Sequence, residues 1–235
     1  MSMKKTQLFV TALLGLMLLL PMSSMAKVTS PYLLPAQVTE VSVSNNNFTY
    51  KYPQVQGLPE ASAQKFINED IQKHINNFIL PMQKVNEFGA KHSDVITGKV
   101  QANITYTIPC NTDGIFSVII NESANVMHKN GKVNSYNAKN CFNYAKDGTV
   151  ITAEGIAPAY KYLGEADPFS KASLKASVQT AAKAQGFTLL PEFEQNLSDA
   201  ANNFYFDSDT NIHALYAPGT IAPENKGYID VPLTK

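Results

Sequence analysis

The sequence predicts an α+β fold, an antiparallel, meander-rich β-sheet covered by two or three α-helices. Three observations carry this. Apolar residues alternate with period two through much of the 235-residue chain, three Asp-Gly or Asn-Gly dipeptides punctuate that alternation, and two stretches carry apolar residues at helical spacing. A hydrophobic fraction of 44% and a charged fraction of 16% are those of a globular protein with one core rather than of a disordered chain.

A leader precedes the fold. Lys4 and Lys5 are followed by the apolar run LFVTALLGLMLLLPM and then SSMAK, the order of a secretory signal peptide over residues 1–26 with cleavage after Ala26. The run falls short of the ~20 residues of a spanning helix, so a membrane is a partner only if the leader is retained. No cysteine follows it to carry a lipid. The expected location is therefore outside the cytosol: periplasmic, secreted or at the cell surface.

The remaining residues, 27–235, read as a single domain. From Gln37 to Val55, QVTEVSVSNNNFTYKYPQV alternates on both sides of an asparagine turn and predicts a β-hairpin. In GLPEASAQKFINEDIQKHINNFILPM, Ile67, Ile71, Ile75, Phe78 and Ile79 form one helical stripe, with Pro59 suited to the start and Pro81 to the stop. Asp113-Gly114, Asn130-Gly131 and Asp147-Gly148 then separate strand-like segments, as a meander requires. A second helix fits Pro168 to Gly186, with Phe169, Leu174, Val178 and Ala181 or Ala182 as its apolar stripe. A short third helix fits PEFEQNLSDAANN, and the chain closes with NFYFDSDTNIHALY and GYIDVPL, strands flanking YAPGTIAPENK.

Charge and cysteine content narrow the function. Arginine is absent, and beyond the leader 17 lysines face 19 acidic residues, a balance that argues against nucleic acid. Two cysteines in an exported chain point to a disulfide between Cys110 and Cys141, whose closure is worth ~3 to 4 kcal/mol in the chain-entropy view. The meander opposes it, because the first and third strands lie two spacings of ~4.8 Å apart. Two separate thiols are the alternative.

Catalytic patterns are sparse. Asp207, Asp209 and Asn211 open like a calcium loop, but Ile212 and Pro218 stand where glycine and glutamate are needed, so a polar hairpin turn is expected there. His74, His92, His128 and His213 show no metal spacing, no GxSxG, phosphate loop or GxGxxG occurs, and neither cofactor nor metal is implied. Glu192 with Glu194, and Asp207 with Asp209, read as surface carboxylates. The tyrosines at 50, 52, 106, 136, 144, 205, 216 and 228 lie in strand-like text and suit half-buried positions.

Short motifs resemble a known family. Tyr52, Pro53 and Gly57 in KYPQVQGLPEASAQKF, IFSVIINESA, Gly148 in NCFNYAKDGTVITAEGI, and Ile221, Ala222, Pro223 and Gly227 in the closing connection together resemble the DUF4163/DUF3298 exported domain. This domain is shared by RsiV-like anti-sigma factors and PdaC-like peptidoglycan deacetylases. On this resemblance residues 27–110 form the DUF4163-like part and 111–235 the DUF3298-like part. The chain departs from the pattern at SANVMHKNGKV, where only His128 matches a Gly-Gly-Ala-His turn, and at Asn143, which replaces an aspartate.

The resemblance implies helices covering an antiparallel sheet and an exported module that binds lysozyme in some relatives, while deacetylase catalysis resides in another domain. With only about seven residues before the apolar run, anti-sigma activity is not expected. The expected function is thus a noncatalytic binding module of the cell envelope, with a lysozyme-like wall-lytic protein or peptidoglycan as partner. An envelope hydrolase using scattered carboxylates and a structural periplasmic or secreted protein are the alternatives.

Overall fold

The structure, a computed structural model, describes residues 30–45, 47–92 and 96–234. The leader and its cleavage after Ala26 lie outside the described residues. Among the described residues no helix is long and apolar enough to cross a membrane. The architecture is α+β: among the described residues it has a five-stranded sheet in the order β1-β2-β3-β4-β5, a three-stranded sheet in the order β6-β7-β8, and three α-helices. Contacts divide the chain into two compact units. One holds Gln37–Thr107 with Ile119–Asn140, and the other holds the residues up to Ala36, Ile108–Val118 and Cys141–Lys235.

The Gln37–Thr107 unit begins with the expected hairpin. β1 (Gln37–Ser44) and β2 (Phe48–Gln56) pair antiparallel with Val41 opposite Tyr52. α1 (Ala61–Lys91) follows and buries Ile67, Ile71, Ile75, Phe78 and Ile79, the stripe read from the sequence. Its seat on β2 is fixed by Asn68, whose amide accepts from Val55 N at 2.8 Å and donates to Val55 O at 3.0 Å. Pro81 does not stop this helix. Proline removes one donor, and the carbonyl it orphans belongs to exposed Asn77, where water can satisfy it.

β3 (Ile96–Thr112) then pairs with β2 in parallel, Phe48 opposite Ala102 and Tyr50 opposite Ile104. This pair departs from the antiparallel pairing that the sequence predicts, within the expected α+β class. A helix this long between two neighbouring strands carries the chain back to the end it left, so the second strand runs the same way as the first. β4 (Ile115–His128) and β5 (Val133–Ala145) complete the sheet through two of the expected turns. At the first, Asp113 and Gly114 take φ of 48° and 82°, the left-handed pair a two-residue hairpin demands.

In the second unit, α2 (Ala153–Tyr162) starts at Thr152, whose hydroxyl accepts from Gly155 N, and buries Ile156. This helix has no counterpart in the sequence expectation. α3 (Lys171–Gln185) matches its expectation: Ser170 caps it, Gly186 ends it at φ 67°, and Leu174, Val178, Ala181 and Ala182 are buried. The expected third helix is instead two 3-10 turns, Phe193–Gln195 and Leu197–Ala201. β6 (Phe204–Phe206), β7 (Ile212–Tyr216) and β8 (Ile229–Pro232) form an antiparallel sheet whose Ala214, Tyr216, Ile229 and Val231 pack with α3 in one apolar cluster.

The residues of the family-like motifs are scaffold. Ile221 and Ala222 lie in that cluster, Pro223 precedes the 3-10 turn Glu224–Lys226, and Gly227 ends it at φ 70°. Tyr52 and Pro53 are buried in β2, while Gly57 and Gly148 hold φ of 71° and 94° at turns. The Asn143 departure has a visible consequence. Its amide accepts from Ser117 Oγ and donates to Phe204 O at 2.7 Å, and Ser117 Oγ in turn accepts from Phe206 N at 3.1 Å. All three side-chain contacts are buried, and an ionised carboxylate at 143 has no hydrogen to give Phe204.

The Cys110–Cys141 disulfide is not present; both residues are thiols. Cys110 is on β3 and Cys141 on β5, with β4 between them, so the spacing that opposed the bridge prevails. Burial pushes the Cys110 thiol up to about 11, which keeps it protonated and unreactive. Beside it Lys146, only 1% exposed, donates from Nζ to Leu34 O at 2.6 Å, and burial lowers its amine to about 8.

Two outcomes follow from this packing. Alkylation of the unfolded chain without reductant is expected to add two groups by mass spectrometry, and addition of none would restore the disulfide. Asn143→Asp is expected to lose about 1 to 3 kcal/mol at neutral pH in urea melts. Burial raises the folded pKa of the new carboxyl, so the loss is smallest below about pH 4, where the group is neutral in both states, and grows as pH rises toward the folded value.

Candidate functional site

Two open depressions flank the β1–β2 turn within the Gln37–Thr107 unit. One, of roughly 550 Å³, is lined from the turn by Asn45, Asn47 and Phe48 and from α1 by Gln83, Asn86 and Glu87. The other, of roughly 260 Å³, shares Asn45 and Asn47 and adds side chains of β3 and β4, chiefly Gln101, Asn103, Ser123 and Asn125. Seven of the residues lining the pair are asparagine or glutamine, Glu87 is the one charged residue, and no lysine or histidine is among them. Phe48 is 5% exposed and offers no open ring face.

The fold sets this lining in place. Asn45 Oδ1 accepts from Phe48 N at 3.1 Å and from Asn47 N at 3.4 Å, an Asx turn that shapes the reversal. Asn47 O accepts from Ala102 N at 2.9 Å, which ties the turn to β3. Asn47 Nδ2 donates to Asn86 Oδ1 at 3.2 Å, and Ser135 Oγ donates to Asn125 Oδ1 at 2.8 Å. Each of these amides therefore commits one half to the protein. Asn45 Nδ2, Asn47 Oδ1, Asn86 Nδ2 and Asn125 Nδ2 remain uncommitted among the described residues. Held in orientation by their own networks, they present three donors and one acceptor at little entropic cost to a ligand.

Titratable groups gather elsewhere. On the β6–β8 sheet, His213 Nδ1 lies 2.9 Å from Asp230 Oδ1 and Nε2 lies 3.3 Å from Asp207 Oδ2, while Tyr205 donates to Asp230 Oδ2 at 2.6 Å and stacks on the imidazole. Strand alternation explains the grouping: Tyr205 opposes His213 across the sheet, Asp230 is diagonal to it, and their neighbours Phe204, Phe206, Ile212 and Val231 are buried. Burial opposes a charged imidazole, but the hydrogen bond and charge of Asp230, with Asp207 behind them, raise His213 above its ordinary value. The same contacts outweigh burial and hold Asp230 below the usual carboxylate range. Burial and then Asp230 push Tyr205 up. With both ring nitrogens facing carboxylates, the protonated His213 is an electrostatic clamp on Asp230 and Asp207.

Asp207 is the expected polar turn. Its Oδ1 accepts from Asp209 N and Asn211 N, and the hydrogen bonds from Asn211 and Asp209, with the charge of His213, overcome burial and lower its pKa. Among the described residues no group of His, Cys, Asp and Glu could hold a metal. Glu194 is held by Lys175 at 2.6 Å, a half-exposed surface pair. In the Gln37–Thr107 unit, Glu122 is 4% exposed; its Oε2 accepts from Asn140 at 3.2 Å and Tyr136 at 3.4 Å, and its Oε1 faces His74 Nε2 at 2.9 Å. His74 is the surface end of this group.

Sequence reasoning passed over the amide lining and the His213 clamp. Asn45 and Asn47 were read only as a turn, and Asp230 is 17 positions from His213, with no local pattern to join them. Alternation of Tyr205 and His213 within short apolar strands was the available signal.

Residues 41–126 match the family model described as deacetylase PdaC, a segment that holds every residue lining the two depressions. No curated protein matches the chain. Seven chains of solved structures do. A member of the DUF3298 family from Bacteroides fragilis superposes with a TM-score of 0.54 at 10% identity, covering 84% of this chain and 89% of that one. A DUF3298 family protein from Pseudomonas aeruginosa gives 0.49 at 9% identity, over 86% and 92%. The resemblance read from the short motifs is met by a PdaC-type segment and by the fold of the Bacteroides protein.

The His213 clamp has a pH signature. Its imidazole, raised in the folded state, contributes stability that is complete below about pH 6.5 and lost as pH rises through the folded value. Asp207 and Asp230, depressed on folding, contribute above about pH 3.8 and lose that contribution as pH falls through their folded values. The difference in melting temperature between the native chain and His213→Gln is expected to be largest between these limits. A difference flat from pH 4 to 9 would refute the clamp.

Proposed function

We propose that this chain, which joins a PdaC-type segment to a DUF3298-like fold, is an exported, noncatalytic binding module of the cell envelope whose partner is peptidoglycan. The observation that supports it is the pair of amide-lined depressions on either side of the β1–β2 turn. Asparagine and glutamine present a donor and an acceptor on one rigid plane, the pairing that hydroxyl and amide groups of a wall polymer require. A volume of roughly 550 Å³ is within the span of about 300 to 1,000 Å³ common for ligand sites. Two depressions sharing a wall suit a chain laid across the turn better than an isolated small molecule.

The lining offers one carboxylate, Glu87, and no histidine or cysteine to work with it, which favours binding over hydrolysis at this place. The name of the matched family, a deacetylase, belongs to that family; what it supports here is a wall-associated setting. The absence of arginine and the slight acidic excess favour neither phosphate nor nucleic acid.

Cosedimentation separates the partners. The purified chain is expected to pellet with insoluble peptidoglycan and to pass through a column of immobilised lysozyme. Retention on lysozyme without cosedimentation would replace peptidoglycan by the lytic protein, and failure of both would end the binding reading. Asn47→Ala with Asn125→Ala is expected to reduce the pelleted fraction severalfold while leaving the circular-dichroism spectrum unchanged.

A further inference from the structure

The charge content of the groove discriminates between the parts of a wall polymer. Such polymers combine sugars that carry hydroxyl and acetamido groups, which are neutral, with short peptides that carry carboxylates and amines. A site for the peptides needs charged partners for both their carboxylates and their amines, because an ion stripped of water is costly without an opposite charge beside it. The lining holds no lysine, and the chain has no arginine. A site for sugars needs matched neutral donors and acceptors. Here Asn45 Nδ2, Asn86 Nδ2 and Asn125 Nδ2 are neutral donors for carbonyl and hydroxyl oxygens and Asn47 Oδ1 is a neutral acceptor, with their orientations fixed by the partners of the other half of each amide.

We infer that the groove reads the N-acetylated sugar backbone, engaging acetamido groups through paired amide contacts at the two depressions, and discriminates against both peptide stems and de-N-acetylated sugars. This rests on the peptidoglycan reading and refines it. An acetamido group offers one N–H, which Asn47 Oδ1 can accept, and one C=O, to which the free Nδ2 of Asn45, Asn86 or Asn125 can donate, so the pair of contacts comes from two residues. Removal of the acetyl group leaves an ammonium, which loses the carbonyl and carries three donors where the amide had one. The amides here present mainly uncommitted donors, so the exchange forfeits contacts. Glu87 alone lines the groove with an opposing charge, at the outer depression on α1.

The affinity of one sugar pair is low by construction. Phe48 is the one aromatic in the lining and is 5% exposed, so no ring stacks on a sugar face. Hydrogen bonds exchanged with water contribute little each, and strength on a wall fragment comes from the repetition of the same unit along it.

The test is a titration of the isotope-labelled full chain, followed through backbone and side-chain amide resonances. The probes are a chito-tetraose of N-acetylglucosamine, the same tetrasaccharide fully de-N-acetylated, and a free stem peptide. The expected result is saturable shifts at Asn45, Asn47 and Asn86 with the acetylated tetramer, and at least tenfold weaker response to the other two. Gln101→Ala, an exposed side chain without a role in the turn, is expected to weaken the tetramer by roughly three- to tenfold. Equal response to the de-N-acetylated sugar, response to the stem peptide alone, or shifts confined to residues outside the groove would overturn the inference. If the chain pellets with peptidoglycan yet is silent to the acetylated tetramer, this inference falls and the envelope-binding reading stands. If it also fails to pellet, both fall.

Discussion

Asn68, Asn111 and Asn203 each commit both halves of one side-chain amide to main chain from a distant part of the sequence. Asn68 clasps the N–H and C=O of Val55, Asn111 clasps those of Ala36 at 2.9 and 2.8 Å, and Asn203 accepts from Cys141 N while donating to Leu215 O, both at 2.9 Å. Asn143 extends the device into the core. A buried peptide group left unpaired costs about 1 to 3 kcal/mol, and a short irregular segment has no ladder to pair it. The amide is a peptide group on a tether, so it completes the pairing where strands end or bend. These clasps add directional bonds to the apolar packing of α1 on β2 and, within the other unit, tie Ala36 to Asn111 and Cys141 and Leu215 to Asn203.

The groove is the same chemistry left half finished. Where Asn68 satisfies two main-chain groups, Asn47 satisfies one neighbour and directs its remaining oxygen outward, and Asn86 answers with an outward Nδ2. The turn does not need these outward atoms for its own closure, which Asn45 Oδ1 and the Asn47 carbonyl already supply. Structural and recognition demands thus fall on different atoms of the same residues, so the site is rigid before a ligand arrives. That arrangement costs the protein little, because the uncommitted atoms are solvated rather than buried.

The legible features were those with local causes. Asp113-Gly114 and Asp147-Gly148 announce their turns because their glycines, and Asp113 with them, take the left-handed backbone such pairs tolerate, and the α1 and α3 stripes follow from spacing alone. The parallel β2–β3 pair was missed because its cause is the length of helix between the strands, and Pro81 was misread as the helix end. The weight of that proline depends on which carbonyl it orphans, and Asn77 is exposed. The Cys110–Cys141 bridge failed for the reason that counted against it, an intervening strand. The His213 clamp was invisible because its members lie on three strands and meet only through sheet register.

Neutral recognition has a consequence for affinity that charged recognition does not. The long-range attraction that steers charged partners is absent from a lining with a single carboxylate, and so is the screening that weakens it in salt. Each amide contact is worth on the order of 1 kcal/mol net, while holding a free ligand costs several times that. A soluble monosaccharide therefore gains almost nothing here. A polymer that repeats its acetamido group every sugar meets the cost once and offers the next unit at high local concentration, so two modest depressions astride one turn become a useful site only on an extended, immobile chain. On the proposed reading, the geometry that makes this groove weak toward fragments is what makes it selective for the intact wall.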